Sequence, residues 1–147
     1  MIKRVESSQV EFKQSVCAGA IKTIVAFANT EGGDLYIGVE DDGEIIGICN
    51  LDEELTRLSN MMRDSIRPDI LMNCSIRPES IDGKSVILVH VERGTKRPYY
   101  LASKGPRPEG VFIRSGAATL PSSESGILHM IQQSEQDTFE SRPSLLQ

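Results

Sequence analysis

The chain has 147 residues, 39% apolar and 25% charged, with a net charge of −5; this suits one folded domain with a buried core and argues against a protein that is basic throughout. Aromatic residues make up 5%, with no Trp, which excludes an extended aromatic platform for stacked bases. Three widely spaced cysteines (Cys17, Cys49, Cys74) without a CxxC pair support neither a disulfide framework nor a zinc site. No secretion-type apolar segment and no run of membrane-spanning length is found, so the expected location is the cytoplasm, with no membrane partner.

In chain order, "QVEFK" (9–13) alternates polar and apolar residues and reads as a short strand. Ser15 is placed to cap a helix in which Val16, Ala20, Ile21, Ile24, Val25 and Ala28 recur at helical spacing. That helix is expected to stop near Asn29. There Asn29 and Thr30 satisfy backbone groups, and Gly32 and Gly33 occupy positions suited to positive φ. "DLYIGV" (34–39), with Gly38 near its end, reads as a strand, and "EDDG" as a turn into "EIIGI" (44–48), making a hairpin. Asn50 and Glu53 form a candidate capping box for a second helix lined by Leu51, Leu55, Leu58, Met62 and Ile66, stopped by Pro68.

"ILMNCSI" (70–76) and "KSVILVHVE" (84–92) read as strands joined around Asp82-Gly83. "RPYYLA" (97–102) and "GVFIRSG" (110–116) read as a further strand pair across the loop "SKGPRP". Pro121, Ser122 and Ser123 open a third helix with Ile127, Leu128 and Ile131 as its apolar stripe. Periodicity fades after Ser134, so residues 1–134 are expected to form the domain and 135–147 a polar tail or the start of a linker to a further region. The order β-α-ββ-α-ββ-ββ-α predicts an α+β fold with a mixed, mostly antiparallel sheet and about three helices.

The Gly32-Gly33 pair invites comparison with a phosphate loop. Such loops feed a helix N-terminus, whereas these glycines follow a helix and precede a strand, and no GKS or GKT is present. A helix stop and tight turn is the better reading. The acids nearby are more informative. Glu6 and Glu11 lie at the first strand, and Glu40 and Asp41 end the second; neighbouring strands would bring three carboxylates to one sheet end. Hard cations such as Mg²⁺ or Mn²⁺ take oxygen ligands of this kind and assist phosphodiester cleavage. The competing reading is that Glu40, Asp41 and Asp42 are solvated turn acids and Glu11 pairs with Lys13 or a cross-strand base.

Charge is unevenly distributed. Residues 1–50 carry four basic and eight acidic groups, whereas residues 93–114 carry Arg93, Lys96, Arg97, Lys104, Arg107 and Arg114 against Glu109 alone. With Tyr99 and Tyr100, of which strand alternation buries one, these cations are the candidate nucleic-acid surface. The competing reading is a solvated hairpin with one tyrosine in the core. His90 and His129 have no partner at ligand or triad spacing, and Ser115 lies in no nucleophile elbow.

Taken together, "ESSQVEFK", "IVAFANTEGGDLYIGVEDDGEIIGI", "RPYYL" and "VFIRSGAAT" resemble the Schlafen AlbA_2 family over about residues 5–132. The family is also described as divergent AAA-4 or as related to the ATP-dependent DNA helicase RecG. The resemblance implies an Alba-like α+β fold and nucleic-acid (DNA) binding, commonly as the N-terminal module of bacterial transcriptional regulators. Animal Schlafens resemble the same domain in duplicate, and some cleave tRNA and rRNA with two glutamates and an aspartate. Their first two acids stand in an E-x4-E-[FW]-K pattern that Glu6 and Glu11 match. The third follows I-G-V, where Asp41 matches best and Glu40 second. The resemblance thus implies Glu6, Glu11 and Asp41 as catalytic and metal-binding residues for a metal-dependent endoribonuclease. A single copy would then need a homodimer to form the clamp. A weaker alternative is an ATP- or nucleotide-sensing domain. Helicase or ordinary ATPase activity is not expected, because the chain has no Walker motif.

Overall fold

A computed structural model describes residues 5–141, with side chains for residues 5–136. The elements are β1 (Val10–Lys13), α1 (Ala18–Asn29), β2 (Gly33–Ile37), α2 (Leu51–Ser65), β3 (Ile66–Arg67), a 3-10 turn (Leu71–Asn73), β4 (Cys74–Ile81), β5 (Lys84–Val91), β6 (Tyr100–Leu101), β7 (Phe112–Ser115), β8 (Ala118–Pro121) and α3 (Glu124–Ser141). A four-stranded sheet runs β1-β2-β5-β4, with β1 parallel to β2 and the other pairings antiparallel. Two small antiparallel pairs, β3-β6 and β7-β8, lie apart from it. The class is α+β, as the element pattern predicts.

Helix α1 organises the domain. Ala20, Ile21 and every residue from Thr23 to Asn29 are buried, so this helix is covered on nearly all sides, unlike an amphipathic surface helix. One side packs on Leu35, Ile37, Ile87, Val89 and Val91 of the sheet, and Phe112 of β7 joins the same core. Leu58 and Met62 of α2 close the cluster. A second, smaller cluster of Phe12, Val39, Ile45 and Val86 fills the other side of the sheet. A third, of Val111, Ile127 and Met130, seats α3.

The helix stop divides its labour between the two glycines. Gly32 has φ +78° and donates its N–H to Phe27 O at 2.8 Å, closing α1. Gly33 is needed for space rather than for φ: a Cβ there would lie 2.6 Å from the Phe27 ring and 2.8 Å from Gln9 O. Thr30 Oγ1 donates to Ala26 O at 2.7 Å, the backbone role expected of it.

Several local expectations are overridden. α1 begins at Ala18 after Cys17, without a side-chain cap, so Ser15 lies outside it. β2 stops at Ile37 because Gly38 turns the chain at φ +103°. The 44–48 segment therefore forms one bridge, Val39 to Ile45, instead of a strand. Asn50 precedes α2 but makes no capping bond, so the Asn50–Glu53 box does not form. Asp69 Oδ1 accepts the Leu71 N–H at 3.0 Å, which turns the chain and delays β4 to Cys74. The predicted pairing of 97–102 with 110–116 is replaced. β6 pairs with β3, and β7 pairs with β8 across Gly116 at φ +58°. Pro121 ends β8 rather than opening α3.

α3 continues past Ser134 to Ser141, so helical backbone occupies the first part of the expected tail. Residues 1–4 of the expected domain and 142–147 of the expected tail lie outside the described residues. No described helix is long and apolar enough to cross a membrane.

Candidate nucleic-acid interface and acidic cluster

The basic segment is built on Asn29, the last residue of α1. Its side-chain Nδ2 donates to Tyr99 O (3.0 Å) and Phe112 O (2.9 Å), and its Oδ1 accepts the Tyr99 N–H at 2.7 Å. One buried amide therefore does the pairing that a neighbouring strand would otherwise do, and it fixes residues 99 and 112 against the end of α1. Tyr99 is the buried tyrosine of the pair. Its ring packs on Gly94, and burial, before any other influence, raises its phenol pKa. Tyr100 faces the other way, half-buried against the Val111–Ile127–Met130 cluster.

The eight basic-segment residues separate into two groups. Arg97 is buried; its Nε donates to Gly94 O (2.9 Å) and its Nη1 to Gln133 Oε1 (3.0 Å), so it ties the segment to α3. Arg114 is buried as well. Its Nη1 donates to Glu11 Oε1 at 2.6 Å and to Thr119 Oγ1 at 3.0 Å, while Nε and Nη2 hold the carbonyls of Ser8, Ser7 and Val10. Its guanidinium lies 5.0 Å from the Phe27 ring centroid. Arg97, Tyr99 and Arg114 are thus internal braces in this structure, because their donors and ring are spent on the protein itself.

Arg93 is exposed and stands 3.5 Å from Glu31. Lys96, Lys104 and Arg107 are exposed, and among the described residues no carboxylate lies in ion-pair range of them. The loop carrying Lys104 and Arg107 is bonded to itself: Lys104 and Gly105 donate to Leu101 O, Gly110 and Val111 to Arg107 O, and Leu101 N–H to Gly110 O. It folds back on β6 as a compact unit.

Arg67, not singled out by the sequence, joins this surface. It is the register partner of Tyr100 in the β3-β6 pair, and Ala102 N–H reaches Ser65 O at 2.7 Å. The one local signal was its position before Pro68, which favours extended backbone. Its neighbour across the strand could not be read from spacing.

Of the predicted acids, Glu6 and Glu11 share a hydrogen bond, and the charge of Asp41 acts on Glu6. Glu6 Oε2 accepts the Phe12 N–H at 3.1 Å. Burial, a shared hydrogen bond with Glu11, and the nearby charges of Glu11 and Asp41 raise its pKa from 4.5 to about 7. Glu11 Oε2 lies 3.6 Å from Lys13, and Glu11 Oε1 is held by Arg114. Lys13 is one of the partners that the structural reading of Glu11 anticipated; the base that holds Glu11 most closely, Arg114, comes from β7 of a separate strand pair instead of a neighbouring strand of the same sheet.

The donor set of Glu6, Glu11 and Asp41 is of the hard-oxygen type that Mg²⁺ or Mn²⁺ takes, but one Glu11 oxygen is committed to a buried guanidinium. Among the described residues, the three carboxylates whose oxygens lie within 4.8 Å of one another are Glu40, Asp42 and Glu44. Glu44 N–H donates to Asp42 Oδ1 within that turn. His90, assigned no role from sequence, bonds Asp34 Oδ1 through Nδ1 at 2.7 Å on the open face of the sheet.

Two solved structures share this fold. The DIP2311 protein from Corynebacterium diphtheriae is 21% identical with a TM-score of 0.59; the match covers 78% of this chain and 25% of that protein. The solution structure of the N-terminal domain of a RecG-related protein from Nitrosomonas europaea is 23% identical, also at a TM-score of 0.59, covering 81% of this chain and 82% of that one. The family model described as "Schlafen, AlbA_2" matches residues 6–123, from the Glu6 that opens the acidic cluster to the Ser123 that precedes α3. A match across that span, on an α+β fold shared with both structures, places the chain in the Schlafen AlbA_2 family.

Proposed function

We propose that this domain binds nucleic acid through the exposed cations of residues 93–107, as the DNA-binding module of a bacterial transcriptional regulator. The observation that carries this reading is the exposure of Lys96, Lys104 and Arg107 without a carboxylate partner among the described residues, in a chain of net charge −5. A phosphate backbone supplies the missing counter-charge, and the ions it releases drive association. The self-bonded loop holds its cations in place beforehand, which reduces the ordering cost of binding. Membership of the Schlafen AlbA_2 family and likeness to the N-terminal domain of a RecG-related protein are consistent with this role.

Anisotropy titration of labelled DNA and RNA between about 50 and 200 mM salt tests it. Affinity should fall steeply with salt, and Lys104→Ala with Arg107→Ala should reduce the log–log slope by about 2. Binding that ignores salt, or none at all, overturns the proposal.

The raised pKa of Glu6 beside Glu11 and Asp41 favours a second reading, a metal-dependent endoribonuclease. Glu6 and Asp41 would hold the ion, and Glu11 would join them only by giving up its contact with Lys13. A divalent cation bound there would polarise a phosphodiester and activate water. Arg114 would then orient Glu11. Cleavage of tRNA with Mn²⁺ or Mg²⁺ should be lost in Glu6→Gln and Glu11→Gln. Equal cleavage by both variants and the parent removes this reading. Sedimentation of the RNA complex should show two protein copies if a paired clamp forms.

A further inference from the structure

We infer that the nucleic acid taken by this surface is single-stranded, with one base stacked on Tyr100 and its phosphate held by Arg67. This inference rests on the binding reading above and narrows its ligand. The first support is the Arg67–Tyr100 register pair, which puts a guanidinium and a phenol side by side on one face of a two-residue ribbon. Arg67 is exposed and anchored through one nitrogen only: Nη1 donates to Arg63 O and Ile66 O, both at 2.9 Å. Its Nε and Nη2 have no protein acceptor among the described residues. These two donors lie on one edge of the guanidinium, in the fork that suits a phosphate. Tyr100 packs on the Val111–Ile127–Met130 cluster and stays partly exposed, and its hydroxyl has no partner among the described residues. Lys104 and Arg107 follow on the loop that folds back onto Leu101 and extend the cationic track.

The second support is what the helices present. A duplex reader that works through a helix places a basic helix in the major groove, and one that works through a β-ribbon needs strands longer than the two-residue β3-β6 pair to span several base pairs. The exposed face of α2 carries Asp52, Glu53 and Asp64, and its Arg57 and Arg63 pair with Glu54 and Asp64. From Glu124 to Gln136, α3 has no Lys or Arg, and the exposed cation of α1, Lys22, lies 5.5 Å from the centroid of the Phe112 ring. A flexible single strand can instead lay its backbone along the loop while one unpaired base reaches the ring.

The test titrates labelled single-stranded DNA, single-stranded RNA and blunt duplex DNA of equal length against the whole chain at one salt concentration. Single strands of at least one type should bind about tenfold or more tightly than duplex. Tyr100→Phe keeps the ring and should stay within about twofold, while Tyr100→Leu keeps the apolar packing and should weaken single-strand binding about fivefold or more. Arg67→Gln should weaken it about threefold or more. Thermal melts followed by circular dichroism confirm that each variant is folded. Duplex bound as tightly as single strands, or Tyr100→Leu binding like the parent, overturns this inference and leaves the binding reading standing. No binding of any nucleic acid overturns both.

Discussion

Arg114 Nη1 and Glu11 Oε1 stand 2.6 Å apart, with side chains 2% and 10% exposed, joining positions 103 residues apart in the chain. The sequence presents Arg114 as a candidate phosphate contact and Glu11 as a candidate catalytic acid. In the folded chain each is first the other's counter-charge, and Arg114 also secures the carbonyls of Ser7, Ser8 and Val10. Removing one partner of a buried pair leaves an uncompensated charge. Arg114→Gln is expected to lose about 3–5 kcal/mol in urea unfolding. The double variant Glu11→Gln with Arg114→Met should recover part of that loss, because neither charge then remains buried; no recovery would mean that the carbonyl contacts dominate.

Asn29 makes three buried hydrogen bonds to backbone groups 70 and 83 residues away. Asn29→Ala strands the Tyr99 N–H and two carbonyls at a cost of about 3 kcal/mol or more. Asn29→Asp should be no milder, since a carboxylate cannot donate to Tyr99 O or Phe112 O. Chemical denaturation of both variants checks this, and a loss below about 1 kcal/mol in either would show that water replaces the amide.

Glu6 titrates from 4.5 to about 7 on folding, so the folded state holds the proton more tightly than the unfolded chain. Its stabilising contribution is fully present below about pH 4.5 and is lost as the pH rises through about 7. Glu6→Gln is permanently neutral and can still accept the Phe12 N–H. The variant should melt above the parent at about pH 8 and close to it at about pH 4. Parallel melting curves across that range would assign the titration to another group.

Gly33 leaves no room for a side chain, with Phe27 at 2.6 Å and Gln9 O at 2.8 Å from a built Cβ. Gly33→Ala must push β1 or the Phe27 ring aside, at an expected cost of about 1–3 kcal/mol. Gly83, at the tip of the β4-β5 hairpin with φ +76°, has open space around it, so Gly83→Ala meets backbone strain alone. Urea midpoints should place Gly33→Ala below Gly83→Ala.

Local signals were sufficient for much of the architecture. The apolar spacing of α1, its stop at Asn29-Thr30-Glu31-Gly32 and the Asp82-Gly83 hairpin all appear where they were expected, because each depends on residues within one or two turns of chain. The 44–48 segment failed as a strand for a reason of the same scale: Gly38, Gly43 and Gly47 all take positive φ, and a turning backbone outweighs β-branched composition. The basic segment was legible as composition only. Alternation correctly required one of Tyr99 and Tyr100 to be buried, but which one depended on Asn29 reaching across from α1.

By itself, then, the sequence determined the α+β class, the first helix with its glycine stop, and the acid and base patterns that mark the family, since periodicity, turn chemistry and charge are written residue by residue. Only the tertiary structure decided which partner each of those residues meets. Wedging α1 between the four-stranded sheet and the β7-β8 pair brings Arg114 to Glu11, turns Tyr99 inward, and pairs β6 with β3 instead of β7. A repeating pattern reports that a side chain is covered; the packing of distant segments decides what covers it.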